Sequence, residues 1–241
     1  MTLTSWMDRK LYPAYGDNWD NQRFRDLLES RISPSSAWLD LGAGRGALAE
    51  MGFRGRVAKV VGVDPDPVVL QNPFLDEARV IAGTEETIPY PRESFDLVFA
   101  NNVLEHLADP RATLREVFRV LKPGGLFLAK TPNRRHYVSL IARWTPQTVH
   151  VAVNRWRGRP SHDTFPTHYR CNTRREVEAT ARGTGFEVVD LALWEGRPEY
   201  LRMASPLYVL GYLYERLVNR SKIFSGWRCV LVVSMQKPSR S

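Results

Sequence analysis

The stretch Trp38-Leu39-Asp40-Leu41-Gly42-Ala43-Gly44-Arg45-Gly46 restricts what this chain can fold into more than any other. A short apolar run, Ala37 to Leu41, enters three glycines at alternate positions. Glycine takes backbone conformations that a Cβ forbids, and it lets a ligand approach the main chain closely. A buried strand turning tightly into a helix answers to both properties. Downstream, valine-rich Val57 to Val63 stops at Asp64-Pro65, so the second strand ends on a carboxylate. At a β-α-β switch point such an acid accepts hydrogen bonds from ribose hydroxyls. Gly42, Gly44, Gly46 and Asp64 therefore predict a site for an adenosine-containing cofactor.

Two cofactor classes compete for that site. Gly42-x-Gly44-x-x-Ala47 meets the loose dinucleotide pattern. Asp40 argues the other way. A carboxylate two residues before the first glycine repels a pyrophosphate and attracts the ammonium of an amino-acid tail.

The remaining pattern alternates. Asn21 to Ile32 has helical spacing, and Arg79 to Ala82 reads as a third strand. Phe95 to Ala100 is a fourth strand, ending at Asn101-Asn102. Arg111 to Leu121 is a helix closed by Lys122-Pro123-Gly124-Gly125, and Leu126 to Lys130 is a fifth strand. A helix at Thr173 to Arg182 and strands at Phe186 to Leu193 and Trp227 to Met235 follow. The expected fold is α/β: a doubly wound, mostly parallel seven-stranded, Rossmann-like sheet. Residues 1–241 are read as one domain, with a cofactor-binding core at 37–132. A basic insertion at 133–172 follows strand five, and an apolar helical insertion at 195–225 precedes the last strand.

Charge has an address in this chain. The net charge of +8 equals that of Asn133 to Arg175 alone, which carries nine arginines and one acid, Asp163. A block of this kind marks a surface that meets something anionic. Cys171 and Cys229 are too few for a disulfide framework, no signal-like segment opens the chain, and no apolar run reaches membrane-spanning length. A cytoplasmic location, with room for peripheral membrane contact, is expected.

These motifs, in this order, resemble the class I S-adenosylmethionine-dependent methyltransferases, in the type 11 branch of ubiquinone- and menaquinone-biosynthesis-like enzymes. Asp40-x-Gly42-x-Gly44-x-Gly46 and Asp64 carry the likeness. So do Ile88-Pro89-Tyr90-Pro91 through Ser94-Phe95-Asp96-Leu97-Val98, Val103-Leu104-Glu105-His106-Leu107, and Arg119-Val120-Leu121-Lys122-Pro123-Gly124-Gly125. The resemblance implies S-adenosyl-L-methionine as cofactor. Asp40 and the glycines would face its methionyl part, and Asp64 its ribose. Thr84 or Glu85 would lie near its adenine, and Asn101 joins these candidate contacts at the end of strand four.

Methyl transfer is an in-line displacement, so alignment of the acceptor and exclusion of water are the main tasks. A hydroxyl acceptor also benefits from a base, for which His106 and His136 are the candidates. Arg155 and Arg157, with Trp156 between them, suit an anionic acceptor. The expected reaction is O-methylation of a small, lipid-linked or glycan-linked anionic acceptor. An RNA methyltransferase or RNA-binding protein is the alternative, because Arg and Trp also suit RNA. His162, Asp163 and His168 match no ligand motif, and no metal site is expected.

Tyr12, Tyr15 and Trp19 are candidates for a lid over the cofactor or a clamp on the first helix. In Pro198 to Asn219, Leu207, Leu210, Tyr214 and Leu217 form a stripe widened by Val209, Tyr212 and Leu213. Core packing is the expected fate of so broad an apolar arc. The alternatives are cover for a greasy acceptor, a membrane interface or a second subunit.

Overall fold

The apolar runs become strands because each buries alternate side chains on opposite faces of one sheet. The computed structural model describes residues 3–16, 18–83, 87–144, 166–202 and 204–239. Strands β1 (Ala37–Leu41), β2 (Lys59–Asp64), β3 (Glu77–Val80), β4 (Phe95–Asn101), β5 (Leu121–Pro132), β6 (Glu187–Trp194) and β7 (Val230–Gln236) form a sheet in the order β3-β2-β1-β4-β5-β7-β6. All neighbouring pairs up to β5 are parallel, and β7 runs antiparallel between β5 and β6. The doubly wound α/β expectation is met.

Helices α1 (Leu3–Leu11), α2 (Trp19–Glu29), α3 (Pro110–Val120), α4 (Tyr137–Trp144), α5 (Arg174–Thr184) and α6 (Ser205–Arg220) surround the sheet. On one face Leu39, Leu41, Val61, Val63 and Val98 meet Leu114 and Val117 of α3 and Val177 and Ala181 of α5. On the other, Trp38, Val60, Leu97 and Phe99 meet Phe24 and Leu28 of α2. Asp109 fixes the start of α3 by accepting from the N–H groups of Arg111 and Ala112 at 2.9 and 3.1 Å, with Pro110 in the first turn.

Three expectations need correction. The glycine turn does not enter a full helix: the connection from β1 to β2 holds only a 3-10 turn, Ala49–Met51. Only Ala47 to Met51 separates Gly46 from Gly52, too little chain to repay the cost of nucleating a helix between glycines. Lys122 to Gly125 is not a helix cap but part of β5. The register steps from Phe95↔Leu121 to Leu97↔Leu126, an irregularity in which Gly124 takes φ +79° and donates to Lys237 O at 2.8 Å.

The third correction concerns α6. Its leucine stripe faces outward: Leu210 is 60% exposed, and Leu207, Leu213 and Leu217 are exposed beside it. The buried face consists of Tyr208, Gly211, Glu215 and Val218. Tyr12 decides this, because its hydroxyl donates to Glu215 Oε2 at 3.0 Å while its ring meets Tyr15, Tyr208 and Tyr212 edge-on. Tyr12 and Tyr15 thus clamp α6 to the N-terminal segment.

Candidate active site

A cavity of about 1100 Å³ opens where β1, β2 and β4 end. Its first half is made by backbone. Gly42 and Gly44 have φ of +77° and +49°, the left-handed region that favours glycine. A Cβ on Gly42 would stand 2.5 Å from Val103 Cγ2, whereas one on Gly44 would meet open space. The loop is braced from both sides. Gly42 N–H donates to Val63 O at 2.8 Å, and Asn72 Nδ2 donates to Ala43 O at 2.9 Å. Asn72 carries no pattern that sequence reading would flag.

Asp64, at the end of β2, accepts from Gly44 N–H at 2.9 Å and from Asp66 N–H at 2.8 Å. Burial raises its carboxyl above the ordinary range, and these two N–H groups oppose the rise. Asp40 is buried beneath the loop. Burial first, and the Asp64 charge second, push its carboxyl well above the usual value. Asn101 closes this half: its amide donates to Asn21 Oδ1 at 3.3 Å, and its own Oδ1 is buried without a partner among the described residues. Trp19 also lines the cavity, and Tyr12 and Tyr15 do not.

The second half is made by side chains from distant elements. Glu105 and His106 sit on the 3-10 turn Leu104–His106 that follows β4. Glu105 is buried and accepts from Thr131 Oγ1 at 2.7 Å, which accepts in turn from Asn172 Nδ2 at 2.7 Å. Burial raises the Glu105 carboxyl, and the Thr131 hydrogen bond opposes it. His106 Nδ1 lies 2.9 Å from Pro166 O. A carbonyl only accepts, so Nδ1 carries the proton and Nε2 keeps the lone pair in the neutral ring.

His136 has the opposite tautomer. Its Nδ1 accepts from Val138 N–H at 3.4 Å, and its Nε2 is buried without a hydrogen bond among the described residues, 3.5 Å from Glu195 Oε2. Burial lowers His136 to about 3 and raises Glu195 to about 8. Beneath this wall the fully buried Lys130 ammonium donates to Asp20 and Asn21. A lysine inside the run Leu126 to Lys130 was the one visible signal for this network, since buried ammonium groups require partners.

The described lining holds seven carboxylates (Asp20, Asp40, Asp64, Asp66, Glu105, Glu195 and Glu199) against two arginines, Arg45 and Arg197. Arg197 is itself hydrogen-bonded to Glu199 at 2.6 Å. The described walls thus hold more acidic than basic side chains. Arg155, Trp156 and Arg157, on which the expectation of an anionic acceptor rests, lie outside the described residues, as do Thr84, Glu85, His162 and Asp163.

A family model described as "Methyltransferase domain" matches residues 17–191, most of the chain and the whole cofactor half of the cavity. The chain belongs to the class I methyltransferase family. Its members use S-adenosylmethionine.

Among curated relatives of the family, the ubiquinone biosynthesis O-methyltransferase of Azorhizobium caulinodans is 34% identical over 187 residues. That match covers 72% of this chain and 65% of the relative. The malonyl-[acyl-carrier protein] O-methyltransferase of Halorhodospira halophila is 31% identical over 163 residues, covering 61% of this chain and 51% of the relative. The chain thus spans between half and two thirds of the length of these relatives. A solved S-adenosylmethionine-dependent methyltransferase from Methanosarcina mazei shares the fold, with a TM-score of 0.58 and 17% identity over 89% of this chain and 98% of that one. No described helix is long and apolar enough to cross a membrane.

Proposed function

We propose that this chain transfers the methyl group of S-adenosylmethionine to a hydroxyl oxygen of a small, lipid-linked or glycan-linked acceptor. One observation carries the reading: the glycine loop with Asp64, and His106, whose Nδ1 faces Pro166 O, belong to the same cavity. The O-methyltransferase names of the relatives support it.

Bound S-adenosylmethionine supplies an electrophilic methyl group on a sulfonium. In this reading Asp64 accepts from the ribose hydroxyls, and Gly44 leaves the main chain open to close approach. Asp40 and Asn101 Oδ1 favour the ammonium of the amino-acid tail. His106 Nε2 takes the hydroxyl proton, while Pro166 O holds the ring in the required tautomer. His136 is a poor base, because burial keeps it neutral with its proton on Nε2. Arg155, Trp156 and Arg157 remain the residues proposed to recognise an anionic group on the acceptor. The exposed leucine row of α6 supports a lipid-linked acceptor and peripheral membrane contact.

A labelled-methyl screen against fractionated lipids, glycans and RNA tests the reading. The expected product is a methyl ether outside the RNA fraction. His106→Gln should lower kcat by about 100-fold with cofactor affinity unchanged. Label confined to RNA would favour the nucleic-acid alternative, and an unchanged kcat would remove His106 as the base.

A further inference from the structure

Three neighbouring strands deliver three metal-ligating side chains to one point. Pro132 of β5 and Trp194 of β6 both pair with Val230 of β7. The residue before Val230 is Cys229, whose carbonyl accepts from Asn133 N–H at 2.8 Å, and the residue after Trp194 is Glu195. His136 stands just past β5, immediately before α4. The imidazole, carboxylate and thiol donor atoms of His136, Glu195 and Cys229 all lie within 4.8 Å of one another.

We propose that His136, Glu195 and Cys229 bind a zinc ion, or another divalent transition metal that accepts nitrogen, oxygen and sulfur donors together. Tetrahedral zinc, with bonds of about 2.0–2.3 Å, keeps its ligand atoms roughly 3.3–3.7 Å apart. The 3.5 Å between His136 Nε2 and Glu195 Oε2 already meets that spacing. Small side-chain rotations bring in the thiol. The mixed donor set disfavours magnesium and calcium, which take oxygen ligands.

Two further observations point to a ligand. His136 is 98% buried, and its Nε2 faces the carboxylate without a hydrogen bond among the described residues. Buried polar atoms left in this state are uncommon and need an account. The carboxylate is also held in place by its surroundings. Cys229 N–H donates to Glu195 Oε2 at 2.9 Å and Gly196 N–H to Oε1 at 3.3 Å, as outer contacts orient ligating carboxylates. Ligation through Nε2 moves the imidazole proton to Nδ1. That replaces the 3.4 Å contact with Val138 N–H, at the outer limit of a hydrogen bond, by two facing donors, a cost that the metal bond must exceed. All three residues line the large cavity, which leaves room nearby for a fourth ligand. The metal site does not depend on methyl transfer and is tested without cofactor or acceptor.

The full chain, stripped with a chelator, is titrated with Zn²⁺ in competition with a chromogenic chelator, and separately with Co²⁺. One equivalent should bind, and cobalt should give a thiolate charge-transfer band in the near ultraviolet. Cys229→Ser should abolish the band, and Cys171→Ser should keep it. His136→Gln and Glu195→Gln should each weaken zinc by roughly 100-fold. Circular dichroism identifies any variant that fails to fold, and the remaining variants then carry the comparison. Equal affinity in wild type and folded variants overturns the site, as does a band that follows Cys171 or no band at all.

Discussion

The two halves of the cavity are built by different means. The first half, proposed here as the cofactor half, is mainly local: Asp40, Gly42, Gly44, Asp64 and Asn72 lie within one stretch of chain, Asn101 closes it, and its surface is largely main chain. The second half, proposed here as the acceptor half, is assembled from the ends of β4, β5, β6 and β7, and its surface is made of titratable side chains. Backbone sites bind through groups that every residue has. Side-chain sites depend on a few buried charges, each held by a specific partner. Substitutions in the two halves should therefore fail in different ways.

The largest effect is expected beneath the acceptor half. Lys130 is fully buried, and burial lowers its ammonium while Asp20 pulls it back up. Lys130→Ala removes the cation that Asp20 and Asn21 surround. Breaking one side of a buried pair costs about 3–5 kcal/mol. Urea unfolding should show a loss of that order, together with a lowered midpoint. A loss below 1 kcal/mol would mean that the acceptor half tolerates its charges as loosely as a surface does.

Asp64→Ala should do the reverse, sparing the fold and removing the ligand. Burial raises its carboxyl, so ionisation itself does not stabilise the fold, and the substitution costs only the bonds from Gly44 and Asp66 N–H. The hydrogen bonds it would offer to ribose are charge-assisted, and their loss should weaken S-adenosylmethionine about 100-fold by calorimetry. Binding of a nicotinamide dinucleotide by the wild type instead would overturn the assignment of this half.

A smaller effect, about tenfold, is expected from the pH dependence of that affinity. Between the ordinary carboxylate range and its raised value, Asp40 is protonated in the free protein. A cationic tail favours the carboxylate, so binding releases a proton and affinity rises with pH until Asp40 is ionised without ligand. By the same linkage, the unliganded protein loses stability as pH rises through that window. Asp40→Asn should flatten the affinity profile. A profile that keeps its slope in the variant would assign the proton to another group.

The same contrast explains what could be read in the sequence. Asp40, Gly42, Gly44 and Asp64 were legible because a tight turn and a strand-ending acid leave marks at fixed short spacing. The absent helix after Gly46 was legible too, in the closeness of Gly52, but the family pattern masked it. Glu195 and Cys229 left no mark. They meet only because β6 and β7 pair antiparallel with Trp194 opposite Val230, and such pairing is non-local. The tautomers of His106 and His136 depend on Pro166 O and Val138 N–H, contacts that no spacing rule encodes.

Helix α6 marks the limit of the pattern argument, because its apolar stripe was read correctly as a stripe and assigned to the wrong environment. Hydrophobic spacing reports which residues share a face and not what covers that face. Here Tyr12, Asp8 and Pro198 occupy the opposite side through Glu215, Tyr208 and Gly211, and the leucines are left outside. Arg220 and Lys222 follow at the end of the helix, so its apolar row finishes on exposed positive charge. Leu210→Glu should therefore change stability by no more than about 0.5 kcal/mol, the range of an ordinary surface substitution. It should also reduce flotation with anionic vesicles and leave cofactor affinity intact. A destabilisation of several kcal/mol would show that the leucines are covered in solution. Unchanged flotation would separate α6 from any lipid surface and leave the arginine-rich segment as the part of the chain that meets an anionic partner.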